Sequence, residues 1–383
     1  MKAVLCSMLF LGSPLLANDA LLSFEQKIQQ ADGMVGDDFG NALALSGATL
    51  AVGACLDDTM AGSDAGSVSV FARSGGSWTL QVKLMPADAA AGDRFGSSLA
   101  LAGDTLVVGA THDDASGSVL NSGSVYVFTR AGAVWTQQAK LSAADAATDD
   151  HFGVSVALSG ETVLIGADGK STGTGAAYVF VSAGSAWSQQ AKLTSLAARV
   201  HDRFGGAVAL DGDLAVIGAE SHDSDGLSNN GRVFPFRRNS GAWTEEDSWL
   251  DSEPVTDGFF GASVALRGDR AIVGATGAND YAGAACVFRY KGAAWVAGEK
   301  LDMADGEGQA YDAFGGCVAL SEGRALIGVC RSVEGQGIYD AGSSWLYADE
   351  GLSFQPFNRA SSINQSSQGE FGRALAMEGD AVI

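Results

Sequence analysis

One phrase recurs seven times along this chain, and it limits the fold more than any other feature. Residues 151–167 read HFGVSVALSGETVLIGA: a Phe-Gly pair, an alternating apolar run, a tight polar turn and a second apolar run. The phrase begins at Phe39, Phe95, Phe152, Phe204, Phe260, Phe314 and Phe371. A regular period of this length indicates a repeat architecture, in which each unit buries one face against the next unit.

The repeats continue without a break, so we interpret residues 18–383 as one domain, although 383 residues often make two or three. Glycine is abundant, with 52 residues, and proline is scarce, with 5. Apolar patterns of helical period are absent after the first twenty residues. The chain therefore reads as all-β, with many short strands and tight turns.

Each repeat contains four strand-like pieces, as the second repeat shows. Residues 97–101 and 105–110 form a hairpin around Ala102-Gly103-Asp104, and residues 123–128 and 135–141 follow as two further strands. Four antiparallel strands repeated around an axis describe a β-propeller blade. The Phe of each Phe-Gly pair is expected to wedge between neighbouring blades, while its Gly permits close backbone approach.

The repeat count predicts a seven-bladed propeller whose last blade is completed by the first strand of the chain. Fourth strands, marked by Phe24, Trp78, Trp135, Trp187, Trp243, Trp295 and Phe354, number seven, but third strands number only six. The strand around Phe24 would join the blade begun at Phe371, and closure of this kind protects sheet edges. The missing third strand suggests a chain truncated at its C-terminus, and a much longer chain would allow an eighth blade.

The consensus FG-x-x-x-A-L-x-G-D-x-L-x-V-G-A, followed by G-S-V-Y-V-F and W-x-Q-Q-x-K-L, resembles the FG-GAP repeat across residues 24–383. This family includes the seven-bladed head of integrin α subunits and many secreted or surface proteins. Many integrin-type repeats hold Ca²⁺ in an Asp-rich loop between the first two strands. Here those positions are tight turns without enough spaced oxygens, so the chain is most similar to the bacterial-type repeat that lacks the calcium loops.

The first seventeen residues, MKAVLCSMLFLGSPLLA, predict a secretory signal peptide cut near Ala17. A membrane anchor is the alternative, which Gly12 and Pro14 disfavour because they interrupt a short apolar run. We therefore expect a secreted or cell-surface protein with no membrane insertion after signal removal. Cys55, Cys286, Cys317 and Cys330 remain after cleavage, and of these Cys317 and Cys330 flank one predicted hairpin and could pair. Unpaired thiols are an equal reading for all four.

The net charge of −22 argues against a general nucleic-acid binder, because phosphate contacts need Lys and Arg. It indicates either a solvated soluble surface or a cation-binding face. Long loops after the second and fourth strands should emerge on one face of the propeller, and these loops hold all four histidines and most of the aspartates. One face should therefore be long-looped and strongly acidic, and the opposite face short-turned.

Two irregular clusters on this face are the candidate ligand-binding residues: His112, Asp113 and Asp114 in the second repeat, and His222, Asp223 and Asp225 in the fourth. They lie at comparable points of their repeats, and imidazole with carboxylate suits a divalent cation. Asp223 and Asp225 look like half of a calcium loop without its later Glu, so they are weak metal candidates. The Asp two residues before Phe, as at Asp37 and Asp93, is expected to bond turn amides instead.

No catalytic motif is present, and no cofactor is implied beyond a weakly indicated divalent cation. The sequence therefore favours a secreted or surface interaction and adhesion module that binds a protein or glycan through the acidic long-loop face. An extracellular enzyme acting on polysaccharide through paired carboxylates is a second reading. A structural matrix component, or a fragment of a larger anchored protein, is a third.

Overall fold

The computed structural model describes residues 6–11, 22–292, 294–303, 311–330, 342–349, 353–361, 373–378 and 381–383. Within them the protein is an all-β propeller of antiparallel four-stranded blades. Six blades are built from four consecutive strands each, joined in order by antiparallel pairing. The expected all-β class and blade construction are confirmed, and each Phe-Gly pair within the described residues opens a blade or precedes its first strand.

The first three blades have the following strands. Blade one contains β3 (Phe39–Ser46), β4 (Thr49–Ala54), β5 (Ser67–Ser74) and β6 (Ser77–Leu84). Blade two contains β7 (Phe95–Ala102), β8 (Thr105–Ala110), β9 (Ser124–Ala131) and β10 (Val134–Leu141). Blade three contains β11 (Val156–Ser159), β12 (Thr162–Ala167), β13 (Ala176–Ala183) and β14 (Ala186–Leu193).

The next three blades repeat this plan. Blade four contains β15 (Ala207–Asp211), β16 (Leu214–Ala219), β17 (Arg232–Asn239) and β18 (Ala242–Glu245). Blade five contains β19 (Phe260–Arg267), β20 (Arg270–Ala275), β21 (Ala284–Tyr290) and β22 (Trp295–Leu301). Blade six contains β23 (Phe314–Ser321), β24 (Arg324–Val329), β25 (Ser343–Asp349) and β26 (Phe354–Ser361).

The prediction of seven blades is corrected here, because the structure contains six complete blades and one sheet of different make-up. This terminal sheet has the order β2 (Leu22–Ile28), β1 (Cys6–Leu11), β28 (Ala381–Val382), β27 (Met377–Glu378). Its last two strands have two residues each, too few for a blade. The position predicted to lack a strand is taken by Cys6–Leu11, which lies within the predicted signal peptide and pairs with both β2 and β28. Phe371 lies outside the described residues.

The terminal sheet nevertheless lies between blade six and blade one, as chain-end closure requires. Gln26 of β2 donates from Nε2 to the Trp78 carbonyl at 2.9 Å and accepts the Trp78 amide at 2.7 Å. At the C-terminal end, Glu378 accepts the amide of Gly47 in the first turn of blade one. Ile28 and Ile383 are buried in one apolar cluster with Phe39. The two ends of the chain therefore meet against the same blade.

The Phe-Gly pairs pack between blades as expected. Phe95 is fully buried, contacts the blade-one cluster that contains Val68, and meets Tyr126 of its own blade edge to face. Gly109 of β8 lies very close to the carbonyl oxygen of Gly153 in the next blade. A Cβ added at Gly109 would overlap that oxygen, so only glycine fits there. Small residues at the blade junctions thus let the sheets stack around the axis.

The loops of neighbouring blades are hydrogen-bonded to each other on one face. The amides of Asp149, His151 and Phe152 donate to the carbonyls of Leu120, Asn121 and Ser122, at 2.9 to 3.2 Å. Equivalent ribbons join the other described junctions, so the loops after second strands and those after fourth strands share this face. We call it the long-loop face. The opposite face carries two-residue turns such as Gly47-Ala48 and Gly103-Asp104, as predicted.

Helical structure among the described residues is limited to one turn, Lys170–Gly173, in the long loop of blade three. Ser171 and Thr172 within it have positive φ, so the turn is not a regular right-handed helix. No helix in the described part of the chain has the length and apolar character needed to cross a bilayer.

Candidate functional site

In blades one to five, the loop after the second strand has a buried residue at one shared place, here called the corner position, three residues after the last residue of that strand. In blades one to five it is occupied by Asp57, Asp113, Lys170, His222 and Ala278. All five are buried. Because a buried charge needs a partner, the residues around each corner position must differ from blade to blade.

In blades three and four, the partner of the corner residue lies two residues before the Phe of the same blade. Lys170 lies 2.7 Å from Asp150, and His222 Nδ1 lies 2.6 Å from Asp202. Blade five has Ala278 and Gly258 there, with no charge at either place. In blades one and two both positions are Asp, so a lysine of the fourth strand supplies the positive charge: Lys83 lies 2.8 Å from Asp57, and Lys140 2.8 Å from Asp113.

The structural role predicted for the Asp two residues before Phe is confirmed at four positions. Asp37, Asp93, Asp150 and Asp202 are buried, and each accepts the backbone amide of the residue three positions earlier, at 2.6 to 2.7 Å. Burial raises the pKa of Asp93 to about 6, and the nearby charge of Asp113 adds to the rise. These carboxylates shape the loops and are not displayed to solvent.

The blade-two candidates are mostly engaged within their own loop. Asp113 is buried between Lys140 and the hydroxyl of Ser124, which donates to it. Asp114 is exposed, but its Oδ1 accepts the Asn121 amide at 2.7 Å. Only His112 presents a half-buried ring without a carboxylate directly bonded to it, and its Nδ1 lies 3.0 Å from the Thr111 hydroxyl.

The blade-four candidates divide in the same way. His222 is buried on Asp202, and Asp223, though exposed, accepts the Asn229 amide at 2.7 Å. Asp225 is exposed, has a positive φ of 55° and lines a cavity with His222 and Asp223. The structure therefore groups these three residues around one cavity, whereas the blade-two residues lie two blades away.

The expectation that the two clusters occupy comparable points is wrong in detail. His222 holds the corner position, and its amide donates to Ala219 as that of Asp113 does to Ala110. His112 is one residue earlier in its loop and matches Ser221, whose amide donates to Asp202 as that of His112 does to Asp93. This offset of one residue makes His222 buried and His112 half-buried. The sequence pattern alone does not reveal the offset.

A pair of histidines joins the loops of blades two and three. The rings of His112 and His151 stack with centroids 5.3 Å apart and planes 17° apart. A hydrogen bond to Asp168, 3.3 Å away, raises the pKa of His151, whereas burial and the charges of Arg94 and His151 lower the pKa of His112. The two imidazoles are thus biased toward opposite protonation states.

No disulfide links the described cysteines. The Cys317–Cys330 bridge considered from the sequence is not formed, and burial raises the pKa of the Cys317 thiol to about 12. Burial likewise raises the pKa of Cys55 to about 11. A raised thiol pKa disfavours the reactive thiolate, so these residues serve as small apolar side chains.

Sequence reasoning missed Arg232, the first residue of β17. Arg232 lines the same cavity as His222 and Asp225, and the cavity has a volume of about 510 Å³. In blades one and two this position is a serine that bonds the corner Asp, and in blades three and five it is alanine. Alignment of the repeats against one another would have singled out Arg232 as the departure.

A second missed feature is the apolar content of the long-loop face. Large exposed hydrophobic side chains of the described residues lie mostly in its loops: Met34, Val35, Met60, Met85, Leu120, Leu196, Val200, Val255, Tyr281 and Tyr311. Tyr281 and Tyr311 stack with ring centroids 5.4 Å apart across the junction of blades five and six. Exposed carboxylates such as Asp58, Asp64 and Asp280 are interspersed among them. The long-loop face therefore presents both apolar and acidic side chains. It is less strongly acidic than the sequence suggests, because many of its aspartates are buried.

Among the described residues, no group of three or more His, Cys, Asp or Glu side chains is arranged to hold a metal ion. Asp223 and Asp225 lie together on the cavity rim, but the former is bonded within its loop.

The blades, their order around the ring and the long-loop face define a β-propeller of the kind that commonly serves as a protein-interaction module. The FG-GAP repeat model matches residues 22–71, 78–128, 135–180, 187–236 and 243–288, which is more than half of the chain. The protein belongs to the FG-GAP repeat family, as its repeat consensus predicts. A comparison with curated protein sequences found no match.

Proposed function

We propose that this protein is a secreted or cell-surface interaction module that binds a protein or glycan ligand through its long-loop face. The supporting observation is the concentration of exposed hydrophobic side chains on that face, including Met60 and Leu196, whose relative exposures are 103% and 106%. Exposed apolar residues rimmed by polar ones are typical of interaction surfaces. The loops that carry them are fixed by interblade hydrogen bonds, so the surface is preorganised.

We propose a non-catalytic role with no required cofactor, because the buried carboxylates of this face are bound by lysine, histidine or backbone amides. The acidic net charge supports partners other than nucleic acid.

Full-length protein on a glycan array and on a panel of purified matrix proteins tests the proposal. The variant Met60→Ser/Val35→Ser removes apolar surface from the long-loop face, and Val134→Ser/Val296→Ser removes exposed apolar surface from fourth strands. Each ligand detected should lose at least about tenfold in affinity with the first variant and keep it with the second. The reverse result would place the interaction surface elsewhere.

Secretion, and the absence of membrane insertion after processing, are further parts of the proposal, supported by the residue pattern of the leader. Mass determination of protein recovered from the expressing host's medium tests them. Cleavage near Ala17 would remove the β1 strand from the terminal sheet. Protein that keeps residues 1–17 and stays inside the cell would contradict the assignment.

A further inference from the structure

The first residue of the third strand is neutral in every described blade except blade four. Ser67 and Ser124 donate hydroxyl hydrogen bonds to the corner carboxylates, and Ala176 and Ala284 make no polar side-chain contact. Blade four has Arg232 there, half-buried. The other blades have a small neutral side chain at this position. A half-buried guanidinium there is stabilised only if an anionic group lies beside it.

No ion pair joins Arg232 to a described carboxylate, although Asp223 and Asp225 line the same cavity. The corner position of blade four is His222 instead of Asp, and Asp202 is already bound by His222 at 2.6 Å and by the Arg199 amide at 2.6 Å. The Nε of Arg232 is buried and makes no hydrogen bond within the described structure. An anion in the cavity that Arg232 lines would give its guanidinium a partner.

The surroundings of Arg232 suit an anion that also carries hydroxyl groups. The cavity of about 510 Å³ falls in the size range of small-ligand sites. Arg199 adds a second guanidinium to its lining, while Ser228 and Asp225 add oxygen atoms. An apolar carboxylate would need an apolar lining, and a long polyanion would be repelled by the net charge of −22.

We propose that the blade-four cavity binds a single sugar acid residue, with its carboxylate on the guanidinium of Arg232 and its hydroxyls on Ser228 and Asp225. Arginine suits this role because its planar fork matches a carboxylate bidentately. The inference rests on the proposed function insofar as it names one ligand class for the long-loop face. The cavity is bordered by Leu196, one of the exposed apolar residues, whereas Met60 and Val35 do not line it.

Titration of the full-length protein with glucuronate, followed by calorimetry or ligand-observed NMR, tests the site, with methyl glucoside as the uncharged probe and acetate as the probe without hydroxyls. Arg232→Gln should weaken glucuronate binding at least about tenfold. The matched control is Arg203→Gln, which removes one positive charge from a half-exposed side chain on the same face. Arg232→Lys should give intermediate affinity, because lysine keeps the charge without the fork.

Selective loss with Arg232→Gln, normal binding with Arg203→Gln and no binding of methyl glucoside would support the proposal. Equal binding of glucuronate to wild type and Arg232→Gln would overturn it, as would acetate binding as tightly as glucuronate. Absence of glucuronate binding would also overturn it, and the array experiment with Met60→Ser/Val35→Ser would still stand on its own, because neither residue lines this cavity. Circular dichroism of each variant excludes misfolding as the cause of a loss.

Discussion

His222 and Asp202 form a buried pair in blade four, with imidazole Nδ1 2.6 Å from the carboxylate and both side chains nearly inaccessible to solvent. The residues are twenty positions apart and belong to the two long loops that flank the first two strands of that blade. Elsewhere the same two positions hold Lys170 and Asp150, or Ala278 and Gly258. The pair is therefore one of several solutions to the same packing problem.

We expect His222→Ala to destabilise the protein by about 3 kcal/mol, because Asp202 would remain buried without its partner. The double variant His222→Ala/Asp202→Asn should lose less than the sum of the single variants, with a coupling of about 1–3 kcal/mol. Urea unfolding of the four proteins in the cycle measures this. His201→Ala, at an exposed histidine next to Asp202, serves as control and should change stability by less than about 0.5 kcal/mol. Strictly additive losses would show that the two side chains are not coupled.

Asp93 should make stability fall as pH rises between about 4 and 6. Its pKa is about 6 in the folded protein against an ordinary value of 3.8, so the folded state holds a proton that the unfolded state has released. Asp93→Asn cannot titrate, so at pH 7 the variant should be more stable than wild type by about 1–3 kcal/mol. Below pH 4 this advantage should vanish.

Unfolding free energies of wild type and Asp93→Asn, measured at several pH values from about 3 to about 7, check this expectation, because that range extends beyond both pKa values. Asp247→Asn, at an exposed position, is the control and should run parallel to wild type. Parallel curves for Asp93→Asn as well would contradict the assigned pKa.

Gly109→Ala should be strongly destabilising, by about 3 kcal/mol or more, because the added methyl group would overlap the Gly153 carbonyl of the next blade. The Gly153 carbonyl is held in place, because it also accepts a hydrogen bond from the Ser98 hydroxyl at 2.7 Å. Gly117→Ala is the matched control, because open space surrounds that glycine. Thermal unfolding compares the two, and equal melting temperatures would show that the blades can separate at little cost.

Gln26→Ala should loosen the contact between the terminal sheet and blade one. The Gln26 side chain bonds both the carbonyl and the amide of Trp78, so its removal exposes that amide to exchange. Hydrogen exchange of the peptide containing Trp78 should accelerate by at least about tenfold, while peptides from blade four keep the wild-type rate. Unchanged protection at Trp78 would mean that the terminal sheet does not hold this edge.

Much of the fold could be predicted from the sequence because its signals are local. Turn residues such as Gly103 and Asp104, strand alternation and the Phe-Gly spacing act over a few residues, and the structure places strands where they indicate. The loop role of Asp37 and Asp93 was equally accessible, since the bond each makes spans three residues.

The terminal sheet shows where such reasoning ends. Pattern counting left the third position unfilled, yet Cys6–Leu11 pairs there with strands from both chain ends. Many apolar segments of suitable length could fill the open position of a sheet. Which segment fills it depends on which one lies beside that sheet in the folded chain, and not on the local pattern of the segment. Arg232 was missed for a related reason: the repeats mark it as a departure, but only the structure shows that it lines one cavity with the predicted His222 and Asp225.

By itself, the sequence determined the all-β class, the repeat family, the blade boundaries and the short-turned opposite face, because each follows from interactions between residues close in the chain. Only the tertiary structure decided which buried charges pair, which segment completes the terminal sheet and that Arg232 opens onto a cavity. Those features depend on side chains tens of residues apart meeting within about 3 Å, and such encounters are set by the packing of whole blades.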